Sequence, residues 1–246
     1  MKNVLLRENL PLLHRFAQGA VLLAFDFDGT LAPIVDHPPD AVMRAKTRAL
    51  LTQLAQLYPC VVISGRARAD TMEKVKGVPM RAVIGNHGLE PSRGLPGARL
   101  LVKQWQEQLA CLLPATAGVI IENKGPTLAI HYRLARAHPV VRQRVLTAVS
   151  RCRGARVVEG KMVVNLLPAQ AAHKGTALVH LCKRLRCKSA IFLGDDDTDE
   201  DVFALPHQGR VLGIRVGRSK RSQADYFVAS QKHVDRLLTE LIAARR

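Results

Sequence analysis

The sequence predicts an α/β fold with a mainly parallel sheet, interrupted by an α+β unit. Short apolar runs alternate along the chain with segments that have apolar residues at helical spacing. The runs are continuous, as expected for parallel strands that are buried on both faces. The middle of the chain instead has the order helix, two strands, helix, two strands. We therefore expect a core formed by residues 1–90 and 169–246, with residues 91–168 inserted as a separate α+β unit.

The predicted core begins with an amphipathic helix over residues 1–16, where leucines recur at helical spacing. Its predicted strands are residues 21–25, 60–64, 81–86, 189–194 and 209–217. Its other predicted helices are residues 41–57, 177–185, 199–206 and 231–244.

The inserted unit contains two helices and two hairpins. Its predicted helices are residues 98–113 and 137–150, and its predicted strands are residues 117–123 and 127–133 with a second hairpin over 156–167. The connection "KGP" between the first two strands has hairpin length.

The composition is that of a globular protein with a large positive charge. The chain has 246 residues, of which 48% are hydrophobic, and a formal net charge of +17. The basic residues are spread along the chain, and aromatic residues make up only 4%, which is few for a surface that stacks nucleic-acid bases. We therefore expect no nucleic-acid partner. General solubility, nonspecific attraction to polyanions, or attraction of an anionic substrate is sufficient to explain the charge.

Two further patterns bear on location. No apolar run approaches the roughly 20 residues of a membrane span, and Arg7 and Glu8 interrupt the apolar pattern near the N-terminus. The five cysteines are odd in number and form no Cys-x-x-Cys pair. These patterns predict a cytoplasmic protein with reduced thiols and no membrane partner.

Four polar clusters follow predicted strands or begin a predicted helix. They are "DFDGT" at 26–30, "SGR" at 64–66, "HKG" at 173–175 and "GDDDTDE" at 194–200. The carboxyl ends of parallel strands meet at one edge of an open sheet, where such folds bind ligands. We therefore expect these clusters to converge.

The converging carboxylates predict a metal site and phosphoryl chemistry. Asp26 and Asp28 would meet the acidic run 195–201, and clustered carboxylates need a compensating cation. Mg²⁺ is typically held by one or two carboxylates together with substrate phosphate. Lys174 supplies a further cation and Ser64 a hydroxyl donor for a phosphoryl group.

Each motif alone is common in turns, loops and helix starts, but the four occur here in order. "DFDGT", "ISGR", "HKG" and "GDDDTDED" resemble the four motifs of the haloacid-dehalogenase-like (HAD) phosphatases. This resemblance implies a Rossmann-like core in which Asp26 is the nucleophile that forms an aspartyl-phosphate. It implies Asp28 as the general acid and then the general base, and Ser64 and Lys174 as the residues that hold the phosphoryl group.

The resemblance also implies a Mg²⁺ site. Its ligands would be Asp26, the backbone carbonyl of Asp28 and Asp195, supported by Asp196 or Asp199. The long interval between Ser64 and Lys174 places the inserted unit where this superfamily has its type-2 cap.

Finer motifs are similar to those of trehalose-6-phosphate phosphatases. They are "FDFDGTLAPIVDHP", "ISGR", "GNHGLE", "EGKMVV" and "GDDDTDEDVF". The resemblance implies an enzyme that hydrolyses trehalose 6-phosphate, with a set of substrate contacts. These are Thr30, Gly65, Arg66, Asn86, His87, Gly88, Glu159 and Lys161. Glu122 and Lys124, in "IENKG", are further candidates for the substrate face of the predicted cap.

The sequence departs from that family at two positions of the predicted cap. Asn165 and Leu167 stand where the family usually has charged residues. This keeps open another sugar-phosphate phosphatase with a type-2 cap, or a phosphomutase. A non-catalytic binding module is disfavoured because the predicted catalytic residues are all present. We expect a small-molecule sugar phosphate as the partner, and a monomer.

Overall fold

The computed structural model describes residues 1–90, 97–113, 118–160, 162–206 and 210–245. The chain divides into two compact units, one of Met1–Gly88 with His173–Arg246 and one of Leu89–Ala172. The chain thus leaves the first unit once and returns to it once.

The first unit is built on a seven-stranded sheet in which every neighbouring pair is parallel. Its strands are β1 (Lys2–Asn3), β2 (Val21–Phe25), β3 (Cys60–Ile63), β4 (Ala82–Ile84), β9 (Ser189–Gly194), β10 (Val211–Val216) and β11 (Tyr226–Val228), with β5–β8 in the second unit. The spatial order is β1-β11-β10-β9-β2-β3-β4. Strands β2 and β9, which are far apart in sequence, are therefore neighbours at the centre of the sheet.

The helices of this unit flank the sheet. They are α1 (Leu10–Gln18), α2 (Ala45–Leu57), α3 (Arg68–Lys74), α6 (Lys174–Arg184), α7 (Glu200–Phe203) and α8 (Val234–Ala243), with α4 and α5 in the second unit. Along β2, Leu23 and Phe25 join one apolar cluster, whereas Leu22 and Ala24 join another. The sheet is therefore buried on both faces, which is why its strands have continuous apolar sequences.

The second unit contains a four-stranded antiparallel sheet with the order β5-β6-β8-β7. Its elements are α4 (Ala98–Leu112), β5 (Ile120–Asn123), β6 (Leu128–His131), α5 (His138–Val149), β7 (Ala155–Gly160) and β8 (Val163–Pro168). Leu128 and Ile130 of β6 pack with Trp105 of α4 and Val145 of α5 in one buried cluster. The two helices thus cover one face of the sheet.

The prediction of one helix over residues 1–16 is wrong. Lys2–Asn3 instead forms the edge strand β1, which pairs with Tyr226–Val228. The side chain of Asn9 donates to the carbonyl of Asn3 and closes the turn between them. The helix begins at Leu10 because Pro11 lies in its first turn, where the missing N–H of proline costs nothing.

The chain leaves and re-enters the first unit at adjacent points. A Cβ built on Gly88 would lie 2.7 Å from the carbonyl carbon of His173. Gly88 has φ +115, a conformation that favours glycine. The two ends of the excursion are therefore in van der Waals contact.

Within the part of the chain that the structure describes, no helix has both the length and the hydropathy needed to cross a bilayer.

Candidate active site

Three of the sequence-predicted residues follow adjacent strands of the parallel sheet. Asp26 follows β2, Ser64 follows β3 and Asp195 follows β9. The N–H of Asp26 donates to the carbonyl of Leu193 at 2.8 Å, which extends the pairing of β2 with β9 by one residue. The sheet itself thus brings these side chains to one edge.

Lys174, the first residue of α6, joins this edge through two buried ion pairs. Its Nζ donates to Oδ1 of Asp26 at 2.9 Å and to Oδ1 of Asp199 at 2.7 Å. The side chain of Lys174 is 1% exposed, and that of Asp199 is fully buried. Charges so deeply buried are tolerated only when they are paired and hydrogen-bonded.

Asp199 also organises the loop that carries Asp195. Its Oδ2 accepts the N–H of Asp195 at 2.8 Å and the N–H of Asp196 at 2.9 Å. One carboxylate therefore ties the start of α6 to the turn after β9.

Burial and charge set the protonation of this group. Burial is the main reason that the pKa of Asp26 lies well above the usual 3.8. The carboxylates of Asp199, Asp195 and Asp28 raise it further, and only Lys174 opposes them. Burial alone would lower the pKa of Lys174, but attraction by Asp199 and Asp26 outweighs this effect and the pKa is raised.

The carboxylates fit a divalent cation. Asp26, Asp195 and Asp199 each offer an oxygen, and these oxygens lie within 4.8 Å of one another. When ionised, the three carry a charge of −3, which the +1 of Lys174 only partly offsets. Both oxygens of Asp199 already accept hydrogen bonds, so Asp26 and Asp195 are better suited to ligate a hard cation. Asp196 uses one oxygen to accept from the N–H of Asp197.

Asp28 is held by Arg66. Nε of Arg66 donates to Oδ2 of Asp28 at 2.7 Å, and Nη2 donates to Oδ1 at 2.7 Å. Nη1 of Arg66 donates to Oδ2 of Asp70, also at 2.7 Å. The structure thus directs Arg66 to two carboxylates of the protein, whereas a substrate contact by Arg66 stays a prediction.

The turn after Asp28 packs against Asp195. A Cβ on Gly29 would lie 2.1 Å from Oδ2 of Asp195, and Gly29 has φ +78. The buried hydroxyl of Thr30 donates to Oδ1 of Asp195 at 3.5 Å. Thr30 therefore lies beside the candidate metal site, and its predicted substrate contact stays untested.

The "GNHG" loop is fastened to the "SGR" loop. The N–H of Asn86 donates to the carbonyl of Arg66 at 2.7 Å, and that of His87 to the carbonyl of Ser64 at 2.9 Å. Asn86 and His87 have φ of +47 and +59, an uncommon conformation outside glycine. A Cβ on Gly65 would lie 2.5 Å from the His87 ring. The two loops form one tightly packed piece, in a backbone conformation that often accompanies functional sites.

Glu159 and Glu122, two of the predicted sugar contacts, lie on opposite faces of the antiparallel sheet. Glu159 pairs in register with Val164, whose side chain lies in the apolar cluster under the helices. The Glu159 carboxylate accepts from Nε and Nη2 of Arg142, in α5, at 2.7 and 2.8 Å. Glu122 accepts from Nε2 of His131 at 2.8 Å.

Nζ of Lys124 lies 3.9 Å from Oε2 of Glu122, so these two predicted contacts belong to one cluster. Lys161 lies outside the described residues. The substrate contacts of all four residues stay predictions.

Comparison with known proteins places the chain in a family. A family model described as trehalose-phosphatase matches residues 24–232. The chain belongs to the trehalose-phosphatase family.

Relatives of this trehalose-phosphatase family member include bacterial and plant proteins. A trehalose-phosphate phosphatase from Mycobacterium avium is 35% identical over 212 residues, which cover 78% of this chain and 53% of the relative. A probable trehalose-phosphate phosphatase G from Arabidopsis thaliana is 29% identical over 259 residues, covering 90% and 68%. The chain spans about half the length of the mycobacterial relative.

The fold is shared with a solved structure. The C-terminal domain of trehalose-6-phosphate phosphatase from C. albicans superposes with a TM-score of 0.78 at 24% identity, covering 96% of this chain and 97% of that one. The predicted fold class, a parallel core sheet with an inserted antiparallel α+β unit, is confirmed.

Sequence reasoning missed two charged residues that hold this family member's site. Asp70 binds Arg66, and Arg215, in β10, donates from Nη1 to Glu200 at 2.9 Å and to the carbonyl of Asp196 at 3.3 Å. The spacing of Arg66 and Asp70, four residues at a helix start, is a usable signal for their pairing. Nothing comparable in the sequence points from Arg215 to the acidic loop.

Proposed function

We propose that this chain is a Mg²⁺-dependent phosphatase that hydrolyses trehalose 6-phosphate to trehalose and inorganic phosphate. The observation that carries the proposal is the buried Lys174 ammonium, which bridges Asp26 and Asp199 at the strand ends that also present Ser64 and Asp195. The names of the relatives support the substrate.

In the first step, a carboxylate oxygen of Asp26 attacks phosphorus. The new bond joins Asp26 to phosphorus, the bond from phosphorus to the sugar oxygen breaks, and its electron pair goes to that oxygen. Lys174, held 2.9 Å from Asp26, and the Ser64 hydroxyl stabilise the negative charge of the phosphoryl oxygens. A covalent aspartyl-phosphate thus divides the hydrolysis into two easier steps.

Asp28 moves the protons in both steps. Its carboxyl gives a proton to the departing sugar oxygen, and the resulting carboxylate then takes a proton from water. This water attacks phosphorus, the bond to Asp26 breaks, and its electron pair returns to the Asp26 carboxylate. The products are the free sugar and inorganic phosphate.

Asp26 and Asp195, with the backbone carbonyl of Asp28, would hold the Mg²⁺. When bound, the ion neutralises charge on the transferred phosphoryl group. Asp199 supports the site by holding the backbone of Asp195 and Asp196.

Phosphate release from trehalose 6-phosphate, with Mg²⁺ and with EDTA, tests the proposal. Asp26→Asn is expected to abolish turnover while the protein stays folded, because an amide is a poor nucleophile. Asp40→Asn, an exposed carboxylate changed in the same way, is the matched control and is expected to keep activity. Full activity of Asp26→Asn would remove Asp26 from the mechanism.

A second candidate is a phosphatase for a different sugar phosphate. Leu167 is fully buried in a small apolar cluster with Leu89 and Ala171, and Asn165 is 5% exposed. Two positions where charge is usual in the family are thus built into packing here. Comparing kcat/KM across a panel of sugar phosphates distinguishes the candidates. Hydrolysis of another sugar phosphate but not of trehalose 6-phosphate would favour the second candidate.

We further propose that the enzyme acts as a cytoplasmic monomer on its small-molecule substrate, without a nucleic-acid or membrane partner. The low aromatic content supports the absence of a nucleic-acid partner, and the odd number of cysteines supports the cytoplasmic location. Light scattering of the purified protein tests the oligomeric state.

A further inference from the structure

Arg66 lies at the centre of a chain of three charged side chains. Its guanidinium binds both oxygens of Asp28 on one side and Oδ2 of Asp70 on the other, each at 2.7 Å. The Arg66 side chain is 10% exposed, whereas those of Asp28 and Asp70 are 38% and 42% exposed. A shielded cation thus joins two more accessible carboxylates.

Two other contacts fix the guanidinium in place. Nη2 of Arg66 also donates to the carbonyl of Pro38 at 2.6 Å. The guanidinium carbon lies 5.7 Å from the centre of the buried Phe27 ring, which is between Asp26 and Asp28 in sequence. A guanidinium has five N–H donors, and these contacts use four of them. Arg66 is therefore held as a bridge within the protein.

We propose that Asp70 is a positioning residue that orients the carboxyl group of Asp28 through Arg66. This inference rests on the proposed function, in which Asp28 protonates the departing sugar oxygen. A carboxylate bound through two parallel N–H bonds has its plane and its direction set by the guanidinium. Asp70 holds Nη1, which binds neither Asp28 nor Pro38, so its loss removes one of the contacts that set the direction of the guanidinium and, through it, of Asp28.

The position of Asp70 separates this role from a role in folding. Asp70 lies in the first turn of α3, four residues after Arg66, and its side chain is partly exposed. Ion pairs of this kind contribute little to stability. Removal of the Asp70 carboxylate is therefore expected to leave the fold intact.

The dependence of the rate on the leaving group is a measurement that a purely structural role of Asp70 would not change. A sugar alkoxide is a poor leaving group and needs its proton as the bond to phosphorus breaks. A 4-nitrophenolate leaves readily without one. Misplacement of Asp28 is therefore expected to slow sugar-phosphate hydrolysis far more than 4-nitrophenyl phosphate hydrolysis.

The test compares Asp70→Ala and Asp70→Asn with the parent protein on trehalose 6-phosphate, phenyl phosphate and 4-nitrophenyl phosphate. Since a positioned general acid contributes about 100-fold or more, we expect Asp70→Ala to lower kcat about tenfold on the sugar phosphate and less than about twofold on 4-nitrophenyl phosphate. Phenyl phosphate is expected to fall between them. Asp70→Asn, which keeps one acceptor oxygen for Arg66, is expected to lose less.

Glu73→Ala is the matched control. Glu73 lies on the same helix and forms an exposed pair with Lys76 at 3.1 Å, away from Arg66. It is expected to match the parent on all three substrates. Equal losses on all substrates in Asp70→Ala, or no loss on any, would overturn the proposal.

A double-mutant cycle with Arg66→Lys tests the route. Lysine cannot bind Asp28 and Asp70 with the fixed fork of a guanidinium, so we expect Asp70→Ala to have almost no further effect in that background. Additive losses would mean that Asp70 acts on Asp28 by another route. Turnover by the parent protein reports separately on the proposed function, and the two aryl phosphates keep the comparison valid if trehalose 6-phosphate is not the substrate.

Discussion

The ammonium of Lys174 lies 2.7 Å from a carboxylate oxygen of Asp199, and both side chains are buried. The same carboxylate holds the backbone of the loop after β9, and the same ammonium holds Asp26. The ion pair therefore joins the loop after β9 to the proposed nucleophile.

Removal of the ammonium is expected to be costly. In Lys174→Met, Asp26 and Asp199 remain buried without their cation, and we expect the free energy of unfolding to fall by about 3–5 kcal/mol. Urea denaturation in EDTA measures the loss. Lys46→Met, at an exposed position of α2, is the control and is expected to change stability by less than about 0.5 kcal/mol. A loss equal to that of the control would show that the carboxylates find other compensation.

The raised pKa of Asp26 predicts a pH-dependent gain of stability in Asp26→Asn. Burial and, after it, the neighbouring carboxylates raise the pKa of Asp26 in the folded state above 3.8, although Lys174 opposes them. The folded protein then binds this proton more tightly than the unfolded chain, so stability is lost as pH rises from near 3.8 through the folded-state pKa. The Asp26→Asn variant does not lose stability in this way, because its amide does not titrate.

Urea unfolding without metal, measured from about pH 4 upward to neutral pH, follows the difference above the unfolded-state pKa. Asp26→Asn is expected to be more stable than the parent at neutral pH, with a gain that shrinks toward the acid end. Asp40→Asn should show no such trend. A gain that grows on acidification would have the opposite sign and would refute the explanation.

Gly29 provides a test of the close packing at Asp195. In Gly29→Ala the new Cβ would meet the Asp195 carboxylate at 2.1 Å, at a φ of +78. Gly77 has nearly the same φ, +84, but open space around it, so Gly77→Ala is a matched control for backbone strain alone. We expect Gly77→Ala to cost about 1 kcal/mol and Gly29→Ala about 2 kcal/mol more.

The affinity for Mg²⁺ is expected to change in Gly29→Ala as well. Displacement of Asp195 in Gly29→Ala should weaken Mg²⁺ binding, measured by calorimetry, whereas Gly77→Ala should bind as the parent does. Equal stabilities and equal Mg²⁺ affinities in the two variants would mean that the turn at Gly29 accommodates the added Cβ with no loss of folding free energy.

The cysteines should differ in reactivity. Burial raises the pKa of the Cys60 thiol to about 12 and that of Cys182 to about 11, whereas Cys111 is exposed. Since the thiolate is the reactive form, a thiol reagent at pH 8 should label Cys111 first and Cys60 only after unfolding. Mass spectrometry of the labelled peptides checks the order, and early labelling of Cys60 would contradict it.

The sequence predicts the centre of the sheet well and its edge poorly. Strands Val21–Phe25 and Ser189–Gly194 are continuous apolar runs that end at aspartates, so their bounds are evident. Strand β1 has two residues and β11 has three, which is too short for any pattern. Their structure depends on pairing with each other across most of the chain, and local sequence does not encode such a partner.

The site divides in a similar way. Its main-chain framework follows from topology, since the ends of parallel neighbouring strands must meet, and Asp26 and Asp195 do lie together. The partners of individual side chains do not follow from it. A lysine that bridges two carboxylates, and an arginine turned toward Asp28 and Asp70, depend on rotamers and packing that a motif does not specify.

The contact between Gly88 and His173 makes the inserted unit modular. Because the chain departs and returns at touching points, a short flexible linker from Gly88 to His173 would close the core without moving either end. Insertions at such paired points can be exchanged or enlarged while the scaffold keeps its topology. The architecture thus lets the core, with its proposed phosphoryl chemistry, and the inserted unit change independently of each other.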